Sequence, residues 1–351
     1  MKMLSNVLIN PGMELPQVLK RLNDAGSKIL FVVNDENKLL GVVTDGDIRR
    51  WIVNKNKLES PVSEVMNKNP IFVKEQFTLD EIKELMVVNR VDCIPVVDKN
   101  NKVLTARWWI DLFSAETREY DKLDADVAIM AGGRGSRLSP FTRIIPKPLI
   151  PINEKPIIER IIENFAKYGC KEFYVSIFYK ANMVRAHFDY FEHDYVINYI
   201  EEKEPLGTIG SLYMIKNNVS RTIFVTNCDI LIEADYADIL KFHRENKNKV
   251  TLVSSMKSYT IHYGVCELGD GGKLKKIKEK PEYNFLVNTG MYLLEPEVIK
   301  DIPDNKLHHI TELINNYIHR GENVGVYPVL ENSWLDVGQW EDIQETLKRF
   351  G

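Results

Sequence analysis

The segment 128–152, AIMAGGRGSRLSPFTRIIPKPLIPI, combines glycines and cations in a way that suits phosphate chemistry. A short apolar run predicts a buried strand over 126–131, and the glycines follow it directly. Backbone N–H groups of a bare turn can approach a polyphosphate, and Arg134 and Arg137 can add charge-assisted hydrogen bonds. The loop is neither a Walker A motif, which ends in Gly-Lys-Ser/Thr, nor a dinucleotide fingerprint, because Leu138 replaces the third glycine. It predicts a phosphate-binding loop of another class.

A lysine between prolines follows the glycines. In IIPKPLIP (144–151) the three prolines fix φ and predict a stiff, extended segment that holds Lys147 in one place. A cation fixed beside a phosphate loop indicates stabilisation of charge that develops in a transition state. Loop and lysine together indicate chemistry at a phosphate group.

The whole pattern, GGxGxRL-x-P-xT-x3-PKPL-xP, is long and specific. With it the chain resembles the sugar-1-phosphate nucleotidyltransferases over nearly all of residues 125–351. In that family an oxygen of a sugar 1-phosphate attacks the α-phosphorus of a nucleoside triphosphate, and pyrophosphate leaves. The resemblance implies an α/β fold with a Rossmann-like, mostly parallel sheet, Mg²⁺ as cofactor, and no covalent nucleophile. The last point suits the lack of a Ser-His or Cys-His signature.

Further segments match the family in its order, and the resemblance implies a role for each. TIFVTNCDIL (222–231) and WLDVGQWEDI (334–343) contain the metal ligands Asp229 and Asp336, and one or two carboxylates plus substrate phosphates suffice for Mg²⁺. The implied catalytic residues are Arg137 for the leaving group, Lys147 for phosphate, and Asp229. The nucleotide would be bound by Ala131, Gly132, Gly133, Gly135, Ser136, Gly207 and Thr208, and the sugar phosphate by Gly264, Glu279, Lys280, Asn288 and Thr289.

Each residue alone has a simpler interpretation, and two other functions compete. Asp229 alone is a common strand-end residue or helix cap, Lys280 a solvated charge and Gly264 a turn former. A glycosyltransferase on a related fold would normally show Asp-x-Asp, where this chain has Asn-Cys-Asp (227–229), and it would leave the arginine loop unexplained. An inactive, nucleotide-sensing regulator would not need the two cations and two aspartates together.

The resemblance favours GTP and an amino-hexose 1-phosphate, glucosamine 1-phosphate, as substrates. EPLGTIGSL (204–212) is closer to the mannose-1-phosphate guanylyl type than to the thymidylyl type. A repeated module ahead of a short transferase, without a left-handed β-helix after it, points the same way. Mannose-1-phosphate guanylyl transfer and cytidylyl, uridylyl or thymidylyl transfer stay open, because the sequence does not place the few hydrogen bonds that read a base edge.

The first part of the chain repeats itself. Residues 13–40 and 77–104 align without a gap, at a constant offset of 64 positions. Each copy predicts an amphipathic helix, a buried strand, a polar turn (NDEN or DKNN) and a second strand. Neither copy can bury both of its faces alone, so we expect the two to pack as one α+β module.

With GVVTDGDIRR (41–50) and PVSEVMNKNPIFV (61–73) this repeat resembles a tandem pair of CBS domains. The predicted module covers residues 1–118, with units at about 1–58 and 61–115, and the predicted transferase domain covers 125–351.

The resemblance implies that Thr44 and Asp47 hold the ribose of an adenosine-type nucleotide, while a helix cap is the alternative. Trp108 replaces the threonine in the second unit, although Asp111 is kept. We therefore expect at most one regulatory nucleotide site per chain. Paired CBS units commonly associate with those of another chain, so a homodimer is expected.

A charged linker is predicted at 116–126, and an alternation of strands and helices typical of a mostly parallel sheet follows it. The predicted strands are 126–131, 172–178, 195–200, 221–227, 250–255, 285–294 and 324–329, and the predicted helices 156–170, 236–246, 309–321 and 339–350.

Composition excludes several classes of function. The net charge of −4 gives no basic surface for nucleic acid or an anionic membrane, and no apolar run is long enough to span a bilayer. The densest basic run, 273–281, alternates apolar and charged residues and predicts a strand with one solvent-facing side.

Targeting and metal signals are weak as well. The N-terminus is too polar and too broken by Pro and Gly for a signal peptide. The four cysteines are scattered and never form CxxC, so we expect a reducing cytoplasm with neither disulfides nor a zinc site. His308-His309 has no partner at metal-ligand spacing.

Overall fold

The computed structural model describes residues 4–54, 59–113, 120–190 and 192–338. The chain divides into two compact units. The first comprises Met1–Glu119, Tyr259–Asn284 and Leu330–Asn332, and the second comprises Tyr120–Ser258, Phe285–Val329 and Ser333–Gly351. The predicted helix at 339–350 and residues 116–119 of the predicted linker lie outside the described residues.

The first unit contains the predicted repeat, and the order of elements within each copy is confirmed. Each copy forms a three-stranded sheet, in the orders β1-β2-β3 and β4-β5-β6, with a parallel first pair and an antiparallel second pair. The elements are β1 (Leu8–Ile9), α1 (Leu15–Asp24), β2 (Ile29–Val33), β3 (Leu39–Thr44), α2 (Asp45–Val53), α3 (Val62–Val65), β4 (Val73–Lys74), α4 (Leu79–Asn89), β5 (Cys93–Val97), β6 (Val103–Trp108) and α5 (Trp109–Leu112).

The two copies are joined through equivalent residues of their polar turns. Leu39 N donates to Asn101 O at 2.9 Å, and Val103 N donates to Asn37 O at 3.0 Å. Both asparagines have positive φ, a conformation that asparagine tolerates better than most residues. Because each bond maps onto the other at the offset of 64, the two copies are related by a local two-fold axis at this point.

The first long helices of the two copies, α1 and α4, differ in which of their positions are buried. Leu15 at the start of α1 is fully buried, whereas its counterpart Leu79 in α4 is 55% exposed. Two further exposed residues of α4, Val87 and Val88, correspond to Asn23 and Asp24 of the first copy. The repeat therefore predicts the elements of the second copy correctly but not which helix positions are buried.

A seven-stranded sheet organises the second unit, in the order β11-β10-β7-β12-β17-β14-β18. Strands β11, β10, β7 and β12 are parallel, β17 runs antiparallel to β12, and β14 pairs in parallel with β18, so the predicted mostly parallel sheet is confirmed. The remaining elements of the chain are β7 (Asp126–Met130), β8 (Pro151–Ile152), β9 (Lys155–Pro156), α6 (Ile157–Ala166), β10 (Glu172–Ile177), α7 (Ala181–Tyr190), β11 (Val196–Glu201), β12 (Ile223–Asn227), β13 (Ile230–Ile232), α8 (Tyr236–Glu245), β14 (Val250–Thr260), β15 (Val265–Leu268), β16 (Leu274–Lys278), β17 (Glu282–Leu294), α9 (Pro296–Lys300), α10 (Ile310–His319), β18 (Val324–Val329) and β19 (Trp334–Asp336).

Apolar residues cover the sheet on both faces, which explains the near-continuous hydrophobic runs of its central strands. In β12, Phe224 packs in one core with α6 and α8, while Ile223 and Val225 pack in the other with α9 and α10. In α6 the apolar residues recur at helical spacing along one face, and all five are buried: Ile157, Ile158, Ile161, Ile162 and Phe165. With both faces covered, the carboxyl ends of the parallel strands remain as the place where a ligand can bind.

The basic run at 273–281 forms a strand as predicted, but both of its sides are exposed. β16 pairs only with β15 in a two-stranded sheet, and all five of its residues are exposed. Leu274 and Ile277, expected on a buried side, are 57% and 59% exposed. Alternation indicates a strand, but it does not supply an element to cover the apolar side.

In the ranges the structure describes, no helix is long and apolar enough to cross a membrane. Within the same ranges no cysteine forms a disulfide; Cys93, Cys170 and Cys228 are buried, and Cys266 is exposed.

A buried histidine links α8 to the sheet through hydrogen bonds. His243 Nδ1 lies 2.7 Å from Thr251 Oγ1, and its Nε2 lies 3.0 Å from Glu295 Oε1, which also accepts a 2.7 Å bond from Thr222 Oγ1. The His243 bond, more than any other interaction, holds the pKa of Glu295 below its ordinary value. The ionised carboxylate therefore stabilises the folded chain above the unfolded pKa of about 4.3, and this contribution disappears as pH falls through the lower folded pKa.

We expect Glu295→Gln to lower the free energy of unfolding at pH 7 by roughly 1 kcal/mol, since a charge-assisted bond is lost. The deficit should shrink as pH falls below about 4, because the wild-type carboxyl is then increasingly protonated. Thermal melts across pH 3.5–7 measure it. Glu297→Gln, which removes only an exposed ion pair with Lys249, is the matched control and should cost less. A pH-independent deficit, or none at pH 7, would contradict this role for Glu295.

Candidate active site

Two aspartates from distant segments meet at the carboxyl edge of the sheet. Asp229 follows β12 by two residues, and β13 then pairs antiparallel with β19, which sets Ile230 opposite Asp336. Val337 N donates to Asp229 O at 2.8 Å. This short pairing, which no local pattern predicts, is what brings the two predicted metal ligands together.

Gly338 marks the point where the charged groups converge. A Cβ on this residue would lie 2.7 Å from Asp336 Oδ1, 3.0 Å from Asp229 Oδ2 and 3.3 Å from an Arg137 guanidinium nitrogen. Gly338 N also donates to Asp336 Oδ1 at 2.7 Å and so holds that carboxylate in place. The sequence analysis missed Gly338, although its place two residues after Asp336 is a usable signal.

Lys147 is held as predicted, but by a different local structure. The segment is not extended: Lys147–Leu149 form one turn of 3₁₀ helix, since Pro148 at its start has the φ that a helix needs. The Lys147 ammonium forms an ion pair with Asp229 Oδ2, and only 9% and 8% of the two residues are exposed. Two nearly buried charges thus compensate each other.

The glycine-rich loop leaves β7 at the same edge. A Cβ on Gly135, whose φ is +63°, would lie 2.9 Å from Thr142 and 3.1 Å from Lys147, so only glycine lets the loop pass this closely. Gly133, by contrast, has no atom within 4 Å of its Cβ position. Its backbone is open, as a phosphate-binding turn requires. Ala131 is buried, whereas Ser136 and Arg137 are exposed beyond it.

Gly207 has a packing reason to be glycine. With φ at +84°, its Cβ position would lie 2.5 Å from His308 O, so only glycine lets the two backbones approach this closely. Its predicted role in nucleotide binding stays a prediction. Thr208 Oγ1 accepts a 2.8 Å bond from Ile310 N at the start of α10, so this loop and that helix are joined.

A cavity of about 310 Å³ adjoins the two aspartates, a volume at the small end of ligand sites. It contains six of the predicted residues: Arg137, Thr208, Asp229, Asn288, Thr289 and Asp336. Its wall also includes Asn227, Tyr292, His309, Thr311 and Trp334, which the sequence analysis did not assign to the site. Asn227 and Trp334 each lie two residues before a predicted metal aspartate, and this proximity could have identified them.

The predicted sugar-phosphate residues fall in two places. Asn288 lines the cavity, where Gly290 N donates to its Oδ1 at 3.1 Å and its Nδ2 donates to Tyr292 OH at 2.6 Å. Thr289 also lines it, but its hydroxyl already donates to Val253 O at 2.6 Å and supports the backbone.

Gly264, Glu279 and Lys280 belong to the first unit, at the open end of the β15–β16 hairpin. A Cβ on Gly264 would lie 3.0 Å from Glu279 Oε2, so these two residues are in contact. Lys280 has positive φ, at 43°.

Thr44 and Asp47 form a capping box at the start of α2, the alternative considered for them. Thr44 N donates to Asp47 Oδ2 at 2.8 Å, and Asp47 N donates to Thr44 Oγ1 at 3.2 Å. Arg50 pairs with the other carboxylate oxygen at 2.6 Å. At the equivalent place Trp108 is the N-cap residue of α5, and its side chain forms no capping hydrogen bond. The two copies therefore differ at this point, as the sequence indicates.

Comparison with known proteins gives two family matches. A model of the nucleotidyl transferase family matches residues 127–350, and a model of the CBS domain matches residues 3–54 and 62–104. Among solved structures, HddC from Yersinia pseudotuberculosis has a TM-score of 0.51 and 24% identity, covering 65% of this chain and 100% of its own, and it shares the fold.

Curated relatives differ in the base they are named for. Mannose-1-phosphate guanyltransferase of Yarrowia lipolytica is 30% identical over 223 residues, and the match covers 61% of each chain. UTP–glucose-1-phosphate uridylyltransferase of Synechocystis is 30% identical over 247 residues, with 63% of each chain covered. Bifunctional protein GlmU of Methanococcus maripaludis is 32% identical and covers 64% of this chain and 54% of its own. The chain thus spans between 54% and 63% of the length of these relatives, less than two thirds.

Proposed function

Because the chain belongs to the nucleotidyl transferase family over residues 127–350 and has CBS domains ahead of them, we propose that it transfers a nucleotidyl group from a nucleoside triphosphate to a sugar 1-phosphate. An oxygen of the sugar phosphate attacks the α-phosphorus in line, and pyrophosphate leaves. The observation that carries the proposal is the convergence of Asp229, Asp336 and Arg137 around Gly338, at the wall of a cavity.

The same residues fit a divalent cation, which we propose is Mg²⁺. Two carboxylates supply only oxygen donors, the kind that Mg²⁺ prefers, and substrate phosphates would complete the shell. The missing Cβ at Gly338 leaves room between the carboxylates. When bound, the ion neutralises charge on the phosphates.

Side chains of the protein position the phosphates and stabilise their charge. The exposed guanidinium of Arg137 binds the departing pyrophosphate, and backbone N–H groups of the glycine-rich loop, which is open around the Cβ position of Gly133, hold the triphosphate. Lys147, fixed by its pair with Asp229, presents its ammonium to the α-phosphate. Burial, and then the Asp229 charge, raise the pKa of Cys228 to about 12, so its thiol stays protonated and direct transfer needs no nucleophile from it.

For substrates we propose GTP and glucosamine 1-phosphate. The support is the EPLGTIGSL segment and a relative named as a mannose-1-phosphate guanyltransferase. The combination with tandem CBS units resembles the glucosamine-1-phosphate guanylyltransferase of bacterial legionaminic acid synthesis. Asn288 in the cavity, and Glu279 and Lys280 on the hairpin, are the groups proposed to bind sugar hydroxyls and phosphate.

An activity panel tests the proposal. Pyrophosphate release is measured with GTP, UTP, CTP, dTTP and ATP against glucosamine, N-acetylglucosamine, mannose and glucose 1-phosphates. We expect the highest kcat/KM for GTP with glucosamine 1-phosphate. A higher value with another pair would overturn the substrate assignment and keep the transferase. If no pair of substrates gives pyrophosphate release, an inactive nucleotide-sensing regulator would be favoured instead.

The CBS module is proposed to bind one purine nucleotide per chain, at Thr44 and Asp47. Calorimetric titration of the full chain with AMP and ADP should give one site. Thr44→Ala/Asp47→Ala should abolish it, at a cost of about 1 kcal/mol in stability from the lost cap. Asp111→Ala, at the equivalent place in the second copy, is the control and should bind normally. Two equivalent sites per chain would remove the proposed asymmetry, and no binding would mean that Thr44 and Asp47 serve only as a helix cap.

We also propose a homodimer formed through the CBS module, in a cytoplasmic location. Support for the dimer is the exposure of Val87 and Val88 on α4, where the first copy has polar residues. Support for the compartment is that none of the four cysteines, all of them in the described part of the chain, forms a disulfide. A regulatory nucleotide could act on catalysis only by binding two arrangements of the chain unequally.

A further inference from the structure

We propose that Lys180 is a positioning residue that holds the glycine-rich loop in place for catalysis, an inference that rests on the proposed function. Its ammonium donates to two consecutive backbone carbonyls, Arg143 O at 2.6 Å and Ile144 O at 2.7 Å. The hydroxyl of the neighbouring Tyr179 donates to the carbonyl before them, Thr142 O, at 3.1 Å. Two consecutive residues thus bind three consecutive carbonyl groups from an earlier part of the chain.

The backbone at Lys180 is unfavourable for a lysine, which indicates that the side chain has a role. Its φ is +53°, a left-handed conformation that residues with a Cβ seldom adopt. Lys180 also directly precedes α7, and the positive end of a helix disfavours a nearby cation. Glycine or asparagine would meet less strain at this place, and neither carries a charge. Strained residues of this kind concentrate at functional sites.

The three carbonyls lie at the end of a short 3₁₀ turn, Phe141–Arg143. Carbonyl groups at the end of such a turn have no partner within the turn. They also form the negative end of its dipole, so an ammonium group is a suitable cap for them. Because Lys180 follows β10 by three residues, the cap ties this turn to the carboxyl edge of the sheet.

The same turn holds the glycine-rich loop through Thr142. Thr142 is only 3% exposed, and its Oγ1 donates to Gly135 O at 3.0 Å. Gly135 O also accepts from Leu138 N at 2.9 Å, a bond that closes the 3₁₀ turn containing Arg137. Lys180 therefore acts on Arg137 through two turns that Thr142 joins.

This connection predicts a different effect on each of the two substrates. Arg137 and the glycine-rich loop are the groups proposed to bind the triphosphate. The residues proposed for the sugar phosphate are carried by other elements, with Asn288 on β17 and with Glu279 and Lys280 beside the β15–β16 hairpin. Loss of the Lys180 bonds should therefore impair the use of the triphosphate and spare the binding of the sugar phosphate.

The test compares the full chain with Lys180→Asn, using the best pair of substrates from the activity panel. The melting temperature should change by less than about 3 °C, because relief of the backbone strain offsets the lost hydrogen bonds. The value of kcat/KM for the triphosphate should fall by roughly 10- to 100-fold, whereas KM for the sugar phosphate should stay within about twofold of wild type. Lys180→Arg keeps a cation that can donate to both carbonyls and should retain most of the activity.

Lys247→Asn is the matched control. Lys247 is an exposed lysine that also has positive φ, at 51°, so the same substitution is made at a comparable backbone position. This variant should behave as wild type. Tyr179→Phe removes only the bond to Thr142 O, and it should lower kcat/KM for the triphosphate by a smaller factor than Lys180→Asn. Tyr179→Phe also decides the inference if Lys180→Asn does not fold.

Hydrogen exchange measures the same effect without any substrate. Backbone amides of residues 133–144 should exchange faster in Lys180→Asn, while those of α8 exchange as in wild type. If no pair of substrates gives pyrophosphate release, the proposed function fails, and the exchange result still decides the role of Lys180. Unchanged exchange, wild-type kinetics, or an equal rise in KM for both substrates would overturn the inference.

Discussion

Asp336→Asn should lower kcat by roughly 100- to 1,000-fold while the protein stays folded, since one of two charges that converge on Gly338 is removed from the site. Asp336 is only half-buried, and Gly338 N can still donate to the amide oxygen of asparagine. The melting temperature should therefore change little. The Mg²⁺ concentration for half-maximal rate should rise, because a neutral amide is the weaker ligand.

Asp229→Asn should lose as much activity and be less stable as well. Its carboxylate compensates the nearly buried Lys147 ammonium, and removal of one partner from a buried pair typically costs about 3–5 kcal/mol. The double variant Lys147→Met/Asp229→Asn should recover much of that stability but none of the activity. The pair of variants separates the structural role of Asp229 from its catalytic one.

Pyrophosphate release at saturating Mg²⁺ and thermal melts measure both effects. Asp304→Asn, which breaks an exposed ion pair with Lys216, is the control and should behave as wild type. Near-normal kcat in Asp229→Asn or Asp336→Asn would remove that residue from the metal site. A stable but inactive Asp229→Asn would show that the Lys147 pair contributes little to folding.

Gly338→Ala should reduce kcat by roughly 100-fold, because the new methyl group would lie 2.7 Å from Asp336 Oδ1 and 3.0 Å from Asp229 Oδ2. Both carboxylates must then move, and Arg137 at 3.3 Å must move with them. A displacement of about 1 Å in such a site is enough for a loss of this size.

Gly12→Ala provides the control for the glycine substitution itself, since its Cβ position has only Asn10 Oδ1 nearby, at 3.7 Å. It should keep wild-type activity. A Gly338→Ala enzyme with normal kcat and normal Mg²⁺ dependence would show that the two carboxylates do not act together at this point. Restored activity with the larger Mn²⁺ or Ca²⁺ would instead show that the methyl group has changed the size of the metal site.

Periodicity predicted the elements that build the sheet because each has a buried side with a regular spacing. β7, β10 and β18 fall within a residue of their predicted limits, and α6 buries the face that its apolar stripe indicated. β14 and β17 continue beyond the predicted limits at one end, into residues that are largely exposed. Apolar patterning is lost there, so the sequence carries no signal for the extension.

The site was predicted residue by residue but not as an arrangement. The motifs identified Arg137, Lys147, Asp229 and Asp336, yet the pairing of β13 with β19 that joins two of them involves only three residues on each strand. Such short strands have no readable period. The contact between Gly207 and the His308 backbone could not be predicted either, because the two residues lie far apart along the chain.

The turn-to-turn contact in the first unit has the form of an isologous interface, the kind that identical subunits use in a two-fold dimer. Leu39–Asn101 and Val103–Asn37 are the same bond made twice. Between identical subunits any substitution occurs on both sides of such an interface at once. Here both halves are on one chain, so each can change alone while the contact keeps the other in place. Thr44 in one half and Trp108 in the other are such a change: the first half can retain a polar site while the second supports it.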